Sequence, residues 1–201
     1  MAQRKRLTAS QRRAQLIEVG RKVLAQHGYE GTSVEELARA AGVSKPIIYE
    51  HFGGKEGLFA VVVDREMDQL LQRVKESIAQ GTPRQRFEGA VLAFLCYIEE
   101  RPDGFSVLTR DAPTHRGNGM HSVIAEMAER IQDIFDREFA SLGLDPRISP
   151  FYAHALIGMV TLTGQYWMDN PDLPREEVAR HLAALGWMGL RHMPKDPDPV
   201  G

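Results

Sequence analysis

The sequence predicts an all-α protein with about nine helices in two domains, and three observations support that prediction. Apolar residues recur at helical spacing along the chain, and nowhere do they alternate with polar residues as in a strand. Glycines, prolines and short polar breaks separate these segments. With 201 residues, 43% of them hydrophobic, the chain is long enough to form one small core and one larger core.

A short helix is predicted over residues 34–41. The side-chain oxygens of Thr32 and Ser33 can cap its N-terminus, and Gly42 ends it because glycine adopts the left-handed conformation without steric cost. Four apolar residues of this helix share one face, which we expect to be buried: Val34, Leu37, Ala38 and Ala41.

A second short helix is predicted over residues 45–51, with Ser44 as its N-cap. Pro46 suits the first turn, because the N–H that proline lacks would have no partner there. Ile48 and Phe52 are one turn apart and can anchor the helix to the core. The other side chains are expected toward solvent or a groove: Lys45, Pro46, Ile47, Tyr49 and His51.

Two short capped helices joined by a glycine turn predict a helix-turn-helix, whose second helix enters the major groove of DNA. A lysine, a tyrosine and a histidine on one exposed face suit phosphate oxygens and base edges. Lys55 begins the next helix, where its charge opposes the helix dipole unless an anion such as phosphate is bound. We therefore expect double-stranded DNA as a partner.

Residues 31–59 resemble the N-terminal DNA-binding domain of the TetR family of bacterial transcriptional repressors, and about a quarter of the chain carries the resemblance. It includes the apolar helix upstream, His27-Gly28-Tyr29, Thr32-Ser33-Val34, Ala41-Gly42-Val43-Ser44, Ile48-Tyr49, His51-Phe52, Lys55-Glu56 and Leu58. The sequence departs from the family at Leu24, where phenylalanine is common. Pro46 and Ile47 replace a more usual glycine and a polar or small residue, which makes the operator hard to infer.

The resemblance implies a helix-turn-helix domain over residues 1–54 and a helical ligand-binding and dimerisation domain over residues 55–201. It also implies contacts with phosphate at both ends of the motif and with the groove between them. The predicted DNA-contacting residues are Thr32, Ser33, Ser44, Lys45, Pro46, Ile47, Tyr49, His51 and Lys55. Two alternatives remain open: capping alone explains Thr32, and a histidine beside Phe52 can simply complete the packing.

The charge distribution is consistent with a DNA-binding N-terminus. Residues 1–55 hold ten Lys and Arg against five Asp and Glu, whereas the remainder holds fifteen against twenty-two. Five of the basic residues precede or begin the first helix: Arg4, Lys5, Arg6, Arg12 and Arg13. Such an arm can reach a minor groove or add affinity through counterion release, and a solvated tail is the alternative.

The remaining helices are predicted from apolar spacing and caps. The first helix of the chain begins near Thr8 or Ser10. Ser149 and Leu173 are expected to precede two later helices, each with a proline in its first turn. The predicted ranges after the helix-turn-helix are 55–79, 83–100, 102–109, 119–141, 150–169 and 174–191.

The last two helices have faces with small residues that would let another helix approach closely. The faces contain Ala155, Gly158, Thr161, Leu162, Gln165, Val178, Leu182, Leu185, Gly186 and Gly189. Two helices from each of two chains would form a four-helix homodimer interface, which the resemblance also implies. The alternative is that these faces pack only inside one chain.

The middle helices are expected to form a sensor for a small apolar effector. The residues predicted to line its cavity are Phe59, Val63, Met67, Phe94, Tyr97, Phe105, Leu108, Met127, Ile131 and Phe135. Plain core packing is the alternative for each of them.

Enzymatic and metal-dependent functions are disfavoured. Asp111, His115 and His121 lie in a polar loop, but their spacing matches no metal-site pattern, and the lone Cys96 excludes an intramolecular disulfide. We expect no cofactor, no metal, no membrane partner and a cytoplasmic location, since no apolar run resembles a signal peptide or a membrane span. The alternative function is a helical small-molecule-binding or metal-binding protein with a vestigial DNA-binding module.

Overall fold

The computed structural model describes residues 7–109, 125, 127–129, 132, 136–137, 139–140, 143 and 145–192. These residues form helices and connections, with no strand among them, so the all-α prediction is confirmed. The helices are α1 (Ala9–His27), α2 (Val34–Ala41), α3 (Lys45–Phe52), α4 (Lys55–Ser77), α5 (Pro83–Glu100), α6 (Pro102–Thr109), a 3-10 turn (Pro146–Ile148), α7 (Ser149–Asp169) and α8 (Arg175–Arg191).

The predicted helix over residues 119–141 lies largely outside the described residues, and those that are described between 125 and 140 are helical. The other predicted ranges agree with the structure to within two residues. The bounds of α2, α5 and α6 match their predictions because a capping residue or a proline marks each start.

Contacts divide the chain into two compact units. The limits of these units differ from the domain boundary expected after residue 54. Among the described residues, the first unit contains 7–68 and 103–109, and the second contains 69–102 and the residues from 125 onward. The first half of α4 joins the first unit because Leu58 and Val62 are buried in its core.

The first unit is built around one hydrophobic cluster in which α1, α2, α3, α4 and α6 all take part. Leu16 and Leu24 of α1 meet Leu37 of α2 and Ile48 of α3 there, and all four are almost fully buried. Gly20 lets α4 approach, since a Cβ at this position would lie 3.0 Å from Leu58 Cδ2. The short helices α2 and α3 therefore owe their position mainly to tertiary burial.

In the second unit, α5 packs against both α7 and α8. A Cβ at Gly164 of α7 would lie 2.5 Å from Ile98 Cδ1, and a Cβ at Gly186 of α8 would lie 2.6 Å from Phe87 Cζ. These two glycines thus serve packing within the chain. Thr161 is also fully buried, which is a correction to its predicted place on a face between two chains.

Ser149 does not cap α7 as expected. The 3-10 turn runs directly into the helix, so Ile148 is the N-cap and no side chain caps α7. The buried Ser149 hydroxyl instead donates to the Asp136 carboxylate and accepts from Gln132 Nε2 at 2.7 Å. At α8, Pro174 rather than Leu173 is the N-cap.

None of the helices in the described part of the chain combines the length and apolar character needed to cross a membrane.

Candidate nucleic-acid interface

Helices α2 and α3 form a compact pair joined by a tight glycine turn. The hydroxyl of Ser33 accepts the N–H of Glu36 at 3.1 Å, which caps α2 as predicted. Gly42 adopts φ 65° and ψ 37°, and its N–H bonds to carbonyls of the last turn. A residue with a side chain would be strained in this left-handed conformation. The glycine thereby fixes where α2 ends and how the chain enters α3.

Helix α3 buries Ile48 completely and leaves its opposite side to solvent. Lys45 and Tyr49 are four residues apart on an exposed stripe beside Ile48, and Tyr49 is 55% exposed. Pro46 is exposed as well, in the first turn of the helix. Ile47 differs from the prediction, because it is half-buried and packs against the core of the first unit.

Lys45 forms a side-chain contact that the sequence did not predict. Its ammonium donates to the carboxylate of Glu35 in the first turn of α2, and this bond lowers the pKa of Glu35. The two residues are ten apart and lie on different helices, so no helical spacing rule links them.

The C-terminal end of α3 is held by Arg13 of α1. Its Nη1 donates to the carbonyl of His51 at 2.5 Å, and its guanidinium lies 4.4 Å from the centroid of the Phe52 ring. His51 is half-buried, with its ring centroid 6.1 Å from that of Phe52. The contact with Phe52 agrees with the packing alternative, and the phosphate contact of His51 stays a prediction.

Lys55, at the start of α4, is tied to the chain before α2. Its Nζ donates to the carbonyl of Tyr29 at 2.9 Å and lies 3.9 Å from the centroid of the Tyr29 ring. Burial, followed by the charges of Glu56 and Glu30, raises the pKa of the Tyr29 hydroxyl. An ammonium has three donors, so a phosphate can still bind to Lys55 while the carbonyl is held.

Thr32 and Ser33 play different parts before α2. Thr32 is buried, and its hydroxyl donates to the carbonyl of Gly28 at 2.6 Å. Ser33 is exposed and uses its hydroxyl as the cap. These bonds give both residues a structural role, and their predicted contacts with phosphate are not tested by the structure.

Ser44 is the N-cap of α3 by backbone geometry, but its side chain makes no capping hydrogen bond. We expect Ser33→Ala to lower the free energy of unfolding by about 1 kcal/mol, because it removes a cap. Ser44→Ala should change it by less than about 0.5 kcal/mol. Urea unfolding of the two variants measures the difference, and equal losses would mean that the Ser44 hydroxyl caps α3 in solution.

The predicted ligand-binding residues fall into both compact units and are mostly buried. Phe59 lies in the core of the first unit, edge-on to Tyr29 with ring centroids 5.0 Å apart, and Val63 packs against that core. Met67, Phe105 and Leu108 are also in the first unit, and Phe94, Tyr97 and Met127 in the second. Ile131 and Phe135 lie outside the described residues.

The predicted loop residues Asp111, His115 and His121 lie outside the described residues. In the part of the chain that is described, no three His, Cys, Asp or Glu side chains form a group able to hold a metal ion. Cys96 is half-buried, and burial raises the pKa of its thiol.

Two short helices are joined by a glycine turn, and the second is anchored by a buried residue and exposes a lysine and a tyrosine. This arrangement defines a helix-turn-helix DNA-binding protein. Residues 16–62 match the model of bacterial regulatory proteins of the tetR family, and residues 83–189 match that of the tetracyclin repressor-like C-terminal domain. The chain belongs to the TetR family of transcriptional regulators.

Three known proteins illustrate the similarity. The transcriptional activator FasR of Mycolicibacterium smegmatis is 28% identical over 191 residues, which cover 94% of this chain and 87% of FasR. The repressor AcnR of Corynebacterium efficiens is 37% identical over 65 residues, covering 32% of this chain and 35% of AcnR. The regulator FadR of Bacillus subtilis, solved with stearoyl-CoA, shares the fold with a TM-score of 0.71 at 19% identity, covering 86% of this chain and 96% of FadR.

Proposed function

We propose that this chain is a ligand-responsive transcriptional repressor that binds a palindromic operator as a homodimer. The DNA-binding part rests mainly on the exposed pair Lys45 and Tyr49, which lie one turn apart on α3 beside the fully buried Ile48. A helix anchored by a buried residue presents its exposed side chains to the groove without reorganisation. We further propose that residues 1–54 are the DNA-binding domain and that the protein acts in the cytoplasm.

Dimerisation is supported by apolar side chains that α7 and α8 expose. On α7, Phe151, Leu162 and Tyr166 are all more than half exposed and share one face. On α8, Leu185 and Met188 are exposed in the same way, and Gly189 has open space around its Cα. Exposed apolar stripes of this kind mark interaction surfaces, and a second copy of the chain is the partner we propose.

A dimer follows from the size of the recognition element. One helix of eight residues makes too few base contacts to select a site in a genome. Two copies related by a two-fold axis read two half-sites about one helical turn apart. The operator that such a dimer binds is therefore palindromic.

The proposed effector is a small molecule with a large apolar part. FadR of Bacillus subtilis, with the same fold, was solved with stearoyl-CoA, which makes long-chain acyl-CoA the first compound to test. The residues proposed to line the cavity remain the ten positions predicted from the sequence. Coupling of about 1–3 kcal/mol between effector and DNA is enough for release.

Repression is the sign we propose, because a dimer over a promoter blocks polymerase. FasR, which is similar over 94% of the chain, is named an activator, and AcnR, which is similar over 32% of it, is named a repressor. A reporter fused to the promoter upstream of the chain's own gene decides the sign, since deletion of a repressor raises its output.

The DNA-binding function is tested with the double variant K45A/Y49A. On the DNA upstream of the chain's own gene, we expect the dimer to bind at least about a thousandfold more weakly, because two contacts of about 1–3 kcal/mol each are removed from each subunit. Fluorescence anisotropy at two salt concentrations, with and without acyl-CoA, measures the effect. Lys22→Ala, which removes an exposed charge from α1, is the control and should change binding far less.

A folded double variant that binds this DNA like the wild type would refute the proposed function. The helical small-molecule-binding protein with a vestigial DNA-binding module would then be the better description. If the wild-type chain binds this DNA and acyl-CoA does not release it, the proposed DNA-binding function stands and acyl-CoA is refuted as the effector.

A further inference from the structure

We propose that Glu35 is a built-in competitor of the DNA phosphates for Lys45, so that it lowers DNA affinity by keeping this lysine neutralised in the free protein. The inference rests on the proposed DNA-binding function and deepens it. It makes Glu35 a positioning residue, because it acts on DNA through Lys45 rather than by a contact of its own.

The contact joins two exposed side chains on the two helices of the motif. The ammonium of Lys45 donates to Glu35 Oε1, while the side chains remain 52% and 61% exposed. Both groups are therefore accessible to a ligand. Lys45 is the only lysine or arginine in α3, so its pairing neutralises the whole formal basic charge of that helix apart from His51.

Carboxylate and phosphate oxygens are both anionic acceptors that bind an ammonium. A phosphate that approaches Lys45 must therefore displace Glu35 or share the ammonium with it. In either case the Glu35 carboxylate stays close to the phosphate and repels it. Each lysine that neutralises a phosphate releases counterions, so a lysine already paired with a carboxylate contributes less to the salt dependence of binding.

Glu35 competes for Lys45 in the same way on every DNA sequence, since phosphates are the same at every site. It therefore weakens specific and non-specific binding by a similar factor. At a given concentration of free protein, occupancy of the operator and of the rest of the genome therefore falls together, and base contacts from α3 preserve the preference for the operator.

The test is Glu35→Gln, which keeps the shape of the side chain and removes its charge. We expect the dissociation constant of the dimer on operator DNA to fall about four- to twenty-fivefold at low salt, as for one exposed charge pair in each subunit. The plot of log Kobs against log salt should become steeper by about 1.8, because one more ammonium in each subunit is free to replace a counterion. The same tightening is expected on random-sequence DNA.

Two comparisons separate this effect from changes in net charge or in folding. Asp64→Asn removes one exposed acid from α4 in the same compact unit and should change affinity and slope much less. In a Lys45→Gln background, Glu35→Gln should no longer steepen the salt dependence. Circular dichroism of all variants checks that α2 is retained, since Glu35 also stabilises its first turn.

Unchanged or weaker binding by Glu35→Gln would overturn the inference, the latter showing that Glu35 holds Lys45 in a useful position. An equal gain with Asp64→Asn, or a persistent effect in the Lys45→Gln background, would overturn it too, in favour of general repulsion. A wild-type chain that binds none of the DNA tested would instead refute the proposed function, on which this inference depends.

Discussion

Leu185→Glu in α8 is expected to give a folded monomer that no longer binds its operator tightly. Leu185 is 66% exposed, so the substitution leaves the core of the second unit intact. In a two-fold interface each residue occurs twice, so one substitution places two carboxylates in the buried contact. We expect the dimer dissociation constant to rise by about a hundredfold or more, since an uncompensated buried charge costs several kcal/mol.

Sedimentation velocity over a range of protein concentrations measures this change, and anisotropy on operator DNA measures its consequence. Leu162→Glu on α7 should have the same effect if both exposed stripes belong to the interface. Leu173→Glu, at an exposed leucine in the connection between α7 and α8, is the matched control and should leave the dimer intact. If the Leu185→Glu chain remains a dimer, α8 is not part of the proposed interface.

The second large effect is expected from Arg21→Met in α1, which should lower the free energy of unfolding by about 3–5 kcal/mol. The Arg21 side chain is only 12% exposed, and it lies among carboxylates from three helices. Its Nη1 is 3.1 Å from Asp103 Oδ2 of α6, and its Nε is 3.8 Å from Oε1 of Glu66 in α4. Since Glu66 is 1% exposed, the variant removes a cation that lies 3.8 Å from a buried carboxylate.

Urea unfolding is the measurement, and two further variants interpret it. Lys22→Met removes the neighbouring exposed charge and should change stability by less than about 0.5 kcal/mol. The double variant R21M/E66Q should recover part of the loss, because the buried charge is removed together with its partner. If R21M alone costs no more than Lys22→Met, the buried network contributes little to the first unit.

The helix-turn-helix could be predicted because its signals are local. The hydroxyl of Ser33 and the left-handed Gly42 act within one turn of the helix end, so the sequence around them suffices to place α2. The buried stripe of α2 also follows from spacing alone, and Leu37, Ala38 and Ala41 are buried as expected. The same local rules gave the limits of α5, where Thr82 forms a capping box with Gln85.

The side-chain partners of the candidate site could not be predicted in this way. The pairing of Lys45 with Glu35, of Arg13 with the His51 carbonyl and of Lys55 with the Tyr29 carbonyl each joins separate elements. No periodicity encodes such pairs, because they depend on how the helices pack. The sequence therefore identified the candidate residues on α3 but not which of them are already engaged.

By itself, the sequence determined the family, the helical class and the order and limits of most helices, because caps, glycines and apolar spacing act over a few residues. Tertiary structure alone decided which faces are covered. Thr161 and Leu162 are neighbours on α7, yet the first is fully buried and the second is 58% exposed. Burial is a property of the neighbours that folding brings to a helix, such as α5 beside Gly164, and those neighbours are distant in sequence.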